Sequence, residues 1–170
     1  MKQKTIWIAE AVVLVLTVLI DRVTKLLAVQ YLKPIATFPL IEDVLHLTYA
    51  QNTGAAFSML KDHRWVFMVT SSVAIVLILV LLVMKRNKIN LLAGISLAMI
   101  AGGGIGNMID RVMNGFVVDF IDFRLINFAV FNGADSFVCV GVFLLVIEIL
   151  FLEKEEKEPN QNDHSSAGNN

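Results

Sequence analysis

The sequence predicts an all-α integral membrane protein with four transmembrane helices and a small β-rich element on the extracytoplasmic surface. Three observations predict it. The 170 residues are 56% hydrophobic and only 17% charged, with a mean hydropathy of +0.70, whereas a soluble domain is nearer half apolar and a quarter charged. The apolar residues gather into runs at approximately 6–27, 65–84, 91–109 and 134–152, and about 20 helical residues cross a hydrocarbon core of roughly 30 Å. Between the first two runs lies a mixed stretch with a period-2 pattern, the signature of a strand.

The first run follows Lys2 and Lys4 and is apolar over 6–20 except for Glu10. A basic start before an apolar core also suits a secretory leader. No small-x-small cleavage site follows, and the run continues into Asp21-Arg22-Val23-Thr24-Lys25, so a retained helix is expected. In 28–64, Pro34 and Pro39 break helix. Leu45, Leu47 and Tyr49 alternate there with His46, Thr48 and Ala50. Asn52-Thr53-Gly54 reads as a turn before Ala55-Ala56-Phe57. The second run, 65–84, carries no charge and ends at Lys85-Arg86-Asn87-Lys88. In the third, Gly94, Ala98, Gly102 and Gly106 recur every fourth residue, a stripe that lets another helix approach closely. It leads into Asn107, Asp110 and Arg111. Residues 115–133 form a second connecting segment holding Asp119, Asp122 and Arg124. The fourth run starts near Ala134 and ends with Glu148 and the charged 153–158. One membrane-embedded domain, 1–158, is expected, with a polar, disordered tail at 159–170.

The formal net charge of −1 gives no reason to expect a nucleic-acid partner. Cys139, the single cysteine, sits inside an apolar run and reads as a buried structural thiol. His46, His63 and His164 are scattered without an HExxH pattern, so neither a metal nor a cofactor is expected. Gly102-Gly103-Gly104-Ile105-Gly106 has no strand before it and is not a dinucleotide loop.

Four spans put both termini on one side. Lys/Arg totals on the two sides are equal, but the short connection between spans two and three is densely basic, with Lys85, Arg86 and Lys88. Short basic loops stay in the cytoplasm. The opposite, outer face then collects Asp21, Lys25, Asn52, Asn107, Asp110, Arg111, Asp119, Asn132 and Asp135.

Asp119, in Val117-Val118-Asp119-Phe120, and Asp135, at the threshold of the fourth run, are carboxylates in apolar company. Ionisable groups at the edge of hydrocarbon are costly and are usually there for function. Two acids within hydrogen-bonding reach cannot both ionise comfortably: one keeps a proton, and the other can deprotonate a water. The ordinary alternative for Asp135 is a first-turn or cap residue, and Asn132 could itself cap that helix. Asp21, Thr24 and Lys25 share one helix face, as an ion pair with Lys25 snorkelling or as support for the site. Asn107, Asp110 and Arg111 have the same spacing and read chiefly as a lock between helices. The residues alone leave Asp110 open as a member of the acid pair. Asn52 is either a turn residue or a donor to substrate.

Five blocks carry a family resemblance: Asp21-Arg22-Val23-Thr24-Lys25, Asn52-Thr53-Gly54-Ala55-Ala56-Phe57, Gly103-Gly104-Ile105-Gly106-Asn107-Met108-Ile109-Asp110-Arg111, Val117-Val118-Asp119-Phe120 and Phe131-Asn132-Gly133-Ala134-Asp135-Ser136. In this order the chain resembles the bacterial lipoprotein signal peptidases (signal peptidase II), over all but the tail. The resemblance implies an inner-membrane aspartic endopeptidase that cleaves prolipoproteins before a diacylglyceryl-modified cysteine. It implies Asp119 and Asp135 as catalytic, and Asn52, Gly54, Asn107, Arg111 and Asn132 as site-shaping or substrate-binding. Asp21, Lys25 and Asp110 become supporting, so Asp110 is not a catalytic acid. Its partners are a lipid-modified prolipoprotein and membrane lipids; the oligomeric state is left open, a monomer included. The chain departs from the family pattern at Gly133, where a larger apolar residue is usual and helix four could loosen, and at Arg22, where Gln is common. The rivals are a proton-coupled membrane carrier using the same acids as a relay, and an intramembrane protease of the Gly-x-Gly-Asp kind. Here the matching place reads Asn132-Gly133-Ala134-Asp135.

Overall fold

The computed structural model describes residues 3–54, 64–85 and 87–152. The expectations for Lys2, Ala55-Ala56-Phe57, His63, Arg86, His164, the charged 153–158 and the tail 159–170 lie outside the described residues. Four helices carry the chain: α1 (Gln3–Leu27), α2 (Arg64–Met84), α3 (Leu91–Asn114) and α4 (Gly133–Ile147). π-helical turns extend α1 over Ala28–Leu32 and α4 over Glu148–Leu152.

α3 is the hub, packing against α1, α2 and α4. The predicted stripe of small residues explains how. A Cβ at Gly94 or Gly106 would run into the carboxyl of Glu10 or Asp21 on α1, and one at Gly102 would lie 2.8 Å from Thr17 Cβ. On the side facing α4, a Cβ at Gly103 would lie 2.5 Å from the Ala134 carbonyl oxygen. The backbones therefore approach to distances that only hydrogen allows. Asn90 caps the start of α3, its side chain accepting from the Ala93 N–H at 2.9 Å. Gly115, with φ 80°, ends the helix in the left-handed region. The helix thus runs past the expected boundary at 109. Asp110 and Arg111 end the apolar run, but Asp110 finds charged partners on α1, so the helix carries on to its glycine stop.

Burial is inverted relative to a water-soluble bundle. Glu10, Thr17, Asp21 and Lys25 of α1 are buried, while Ile8, Val12, Leu19 and Val23 are exposed. Helices Leu91–Asn114 and Gly133–Leu150 are long and apolar enough to cross a membrane, and Met68–Met84 is a shorter apolar helix. Cys139 corrects the expectation of a buried thiol, for it is exposed. α4 turns Ala134, Val138 and Gly141 toward α3, which leaves position 139 on the outward face.

The β-rich element is a three-stranded antiparallel sheet in the order β1 (Thr37–Ile41), β2 (Leu45–Asn52), β3 (Val117–Phe123). Pro39, lacking an N–H, sits in the edge strand β1. β2 pairs with β3 in the register His46↔Asp122, Ala50↔Asp119 and Asn52↔Val117, with an irregularity between Leu47 and Ala50. The segment read as a plain connection therefore contains a strand. It is also tied to the next helix. Phe131 N–H donates to the Ile121 carbonyl at 3.0 Å, and Ile121 N–H returns a bond to the Phe131 carbonyl at 2.8 Å.

Candidate active site

That last pairing builds the site. Phe131 is fixed beside Ile121, two residues after Asp119, and the next residue, Asn132, opens α4. Asn132 is the N-cap: its Oδ1 accepts from the Asp135 N–H at 3.1 Å, and Asp135 Oδ2 accepts from the Asn132 N–H at 3.2 Å. This reciprocal capping box satisfies two otherwise unpaired helix-start donors. It also closes the start of α4, which begins at Gly133. The capping role considered for Asn132 and the first-turn role considered for Asp135 are both real, and both residues do more.

Asn132, fully buried, sends its amide nitrogen to Asp119 Oδ1 at 2.6 Å and to Asn107 Oδ1 at 3.1 Å. One asparagine thus holds Asp119 through its side chain and Asp135 through its backbone. Asn52 approaches Asp119 from the other side, donating to Oδ2 at 2.9 Å. Its own Oδ1 accepts from the Gly54 N–H at 3.0 Å, which fixes which end of the amide faces the acid. Asn107 donates to Asp135 Oδ1 at 2.8 Å. Arg111, one turn further on, lies within electrostatic reach of Asp135, Asp119 and Asp110, and its guanidinium approaches the Asn107 carbonyl at 3.5 Å.

Beneath the acids lies a buried charged layer. Lys25, 2% exposed, donates to Asn107 Oδ1 at 2.8 Å and pairs with Asp21 at 2.9 Å and Asp110 at 3.2 Å. It points inward and does not snorkel. Asp21 accepts from the Ala134 N–H at 3.0 Å, pinning α4 to α1. Asp110 accepts from the Val118 N–H at 3.2 Å, pinning β3 to α3. Arg22 also pairs with Asp110. Sequence reasoning noted Arg22 only as a departure from the family pattern; its place one residue after Asp21 was the available signal. Thr24 turns back to its own helix, bonding the Ile20 and Asp21 carbonyls. Asp122 bonds Thr48 and Arg124 on the sheet, away from the site.

Asp119 is 2% exposed. Burial pushes its carboxyl up to about 6; the bonds from Asn52 and Asn132 oppose the rise and the charge of Asp135 adds to it. Asp135, in the first turn of α4, is less deeply buried. The arrangement can hold one proton between two unequal acids. Among the described residues there is no cluster of His, Cys, Asp and Glu that could hold a metal ion.

A bundle with apolar outer surfaces, whose buried polar groups converge on one sheet-capped end, is the architecture of a membrane-embedded enzyme. The chain belongs to the signal peptidase (SPase) II family, whose model matches residues 13–151. It is 48% identical over 141 residues to a lipoprotein signal peptidase of Caldanaerobacter subterraneus subsp. tengcongensis, covering 82% of this chain and 94% of that one. It is 39% identical over 145 residues to one of Clostridioides difficile, covering 85% and 97%. A solved bacterial membrane enzyme superposes with a TM-score of 0.76 at 30% identity, over 89% of this chain and 93% of that one.

Proposed function

We propose that the chain is an aspartic endopeptidase of the bacterial cell membrane that removes signal peptides from prolipoproteins, cutting before a diacylglyceryl-modified cysteine. The observation that carries the reading is the double grip of Asn132 on Asp119 and Asp135. It keeps two acids, distant in the chain, around one small space. Family membership and the names of the relatives support the substrate class.

In this reading all four helices span the membrane and both termini are cytoplasmic. The sheet and the acids face the extracytoplasmic side. Asp119, with its raised affinity for a proton, starts as the acid and polarises the scissile carbonyl. Asp135, which accepts from the Asn107 amide with Arg111 nearby, takes a proton from the attacking water. Asp119 then protonates the leaving amine. Asn52 and Gly54 hold Asp119, while Lys25, Asp21 and Asp110 tie the two elements that carry the acids, β3 and α4, to α1 and α3. The lipid keeps the scissile bond at the membrane surface, each buried CH₂ contributing about 0.8 kcal/mol. A carrier would need its acids near mid-membrane with access from both sides, whereas these lie at one end of the bundle.

The test is cleavage of a purified precursor with and without its lipid. Wild-type protein is expected to cut only the lipidated form. Asp119→Asn and Asp135→Asn, folded and inserted, are expected to lose at least about 10³-fold in kcat, as for loss of a general acid or base. Cleavage retained by either variant removes the mechanism.

A further inference from the structure

Glu10 is a buried acid that the proposed reaction does not use. It belongs to the inward stripe of α1 yet lies far from the acids, eleven residues before Asp21, or about 16 Å along the helix. It is 8% exposed, and no described residue donates a hydrogen bond to its Oε1. Gly94 lies against its carboxyl, since a Cβ there would run into Oε1. On its other side Glu10 lines a groove of about 500 Å³ between α1 and α2. The rest of the wall is apolar and includes Trp7, Ala11 and Leu14 of α1 and Leu79 and Leu82 of α2. A carboxylate oxygen without a partner in such surroundings is costly, and ionisable groups inside membrane helices usually pair with one another.

We propose that this groove seats the beginning of the leader peptide's apolar segment, and that Glu10 receives the basic side chain preceding that segment. The inference rests on the peptidase reading. Two arguments select this occupant. The first is charge: secretory leaders carry Lys or Arg ahead of an apolar stretch of about 7–15 residues, and the groove offers one acid in an otherwise apolar wall. The second is depth. A helical apolar segment of about eleven residues covers about 16 Å, the spacing along α1 between Glu10 and the charged layer under the acids. A leader cut at the acids therefore brings its basic residue to the level of Glu10.

The test uses the full chain in phosphatidylcholine vesicles, with added phosphatidylethanolamine as a control, and two lipidated precursors, identical except that the leader's lysines are replaced by glutamine in one; a third, with glutamate there, serves Glu10→Lys. Glu10→Gln is expected to raise KM for the lysine precursor by about tenfold, as for loss of one desolvated charge pair, with kcat nearly constant and the glutamine precursor indifferent. Glu10→Lys is expected to regain affinity for a precursor whose leader carries glutamate. Because each variant is compared with itself on two precursors, a change in folding yield cancels. An equal KM change on both precursors, or no change on either, overturns the inference. A KM change that follows phosphatidylethanolamine content and not leader charge also overturns it, assigning Glu10 to a lipid amine. If wild-type protein cuts neither lipidated precursor, the peptidase reading fails and this inference falls with it. If it cuts both while Glu10→Gln is indifferent to leader charge, this inference alone fails.

Discussion

Asp119 is where single-residue chemistry is most exposed to measurement. Its carboxyl stands at about 6 in the folded protein against an ordinary 3.8. The folded state therefore binds the proton more tightly than the unfolded one. That binding adds stability fully below pH ~3.8, and the contribution is lost as pH rises through ~6. Between pH 7 and pH 4, wild-type protein is expected to gain of order 2 kcal/mol relative to Asp119→Asn. Thermal unfolding in detergent at the two pH values checks this, and a constant gap between the two proteins counts against a proton-holding Asp119. Asn107 makes a different prediction at the same scale. Its amide serves Lys25, Asn132 and Asp135 at once. Bonds to charged groups are worth about 1.5–3 kcal/mol each, so Asn107→Ala is expected to melt well below Asp119→Asn at pH 7. Equal melting would remove its role as a lock. The sequence made these residues legible individually, because ionisable and amide groups stand out in apolar runs. It did not reveal that Asn132 grips both acids, since that depends on a strand pairing with no local signal. Nor did it reveal the pairing of Arg22 with Asp110.

Among the elements, the small-residue stripe of α3 was fully legible, because a four-residue repeat is a one-dimensional pattern. The sheet was only half legible. β2 alternates, but β3 has its first three residues, Val117, Val118 and Asp119, all buried, which erases the period. Likewise, the apolar run through Cys139 carried no sign of which face would turn inward. Two glycines of α3 beside the stripe give a paired prediction. A Cβ at Gly103 would lie 2.5 Å from the backbone oxygen of Ala134, while one at Gly104 would lie 3.0 Å from the movable side chain of Ile75. Gly103→Ala is expected to push the first turn of α4, and Asp135 with it, away from α3. It should cost about 1–3 kcal/mol and most of the activity. Gly104→Ala is expected to stay close to wild type. Melting and cleavage measured side by side decide it, and comparable losses in the two variants would mean that the α3–α4 contact does not position the acid.

For the whole molecule, the contacts fix which ends lie together. Lys25 near the end of α1 meets Asn107 and Asp110 near the end of α3, and the start of α4 joins them through Asp21 and Ala134. At the opposite end, Asn90 at the start of α3 donates to Glu148 after α4 at 2.6 Å. The two ends differ in kind: one has the sheet and the acids, the other the short basic connection. Short basic connections remain in the cytoplasm, so the proposed topology has the acids outside, where a lipidated precursor would emerge. Replacing Cys139 by serine and placing one cysteine at Glu42 or at Lys88, both exposed, tests the assignment in intact cells. A membrane-impermeant maleimide is expected to label the protein carrying Glu42→Cys and to reach the one carrying Lys88→Cys only after the membrane is opened. The native Cys139 is expected to resist the reagent in both conditions, because its exposed face would be turned to lipid. Labelling of Lys88→Cys from outside would invert the topology and leave the acids on the side where no exported precursor presents its cleavage site.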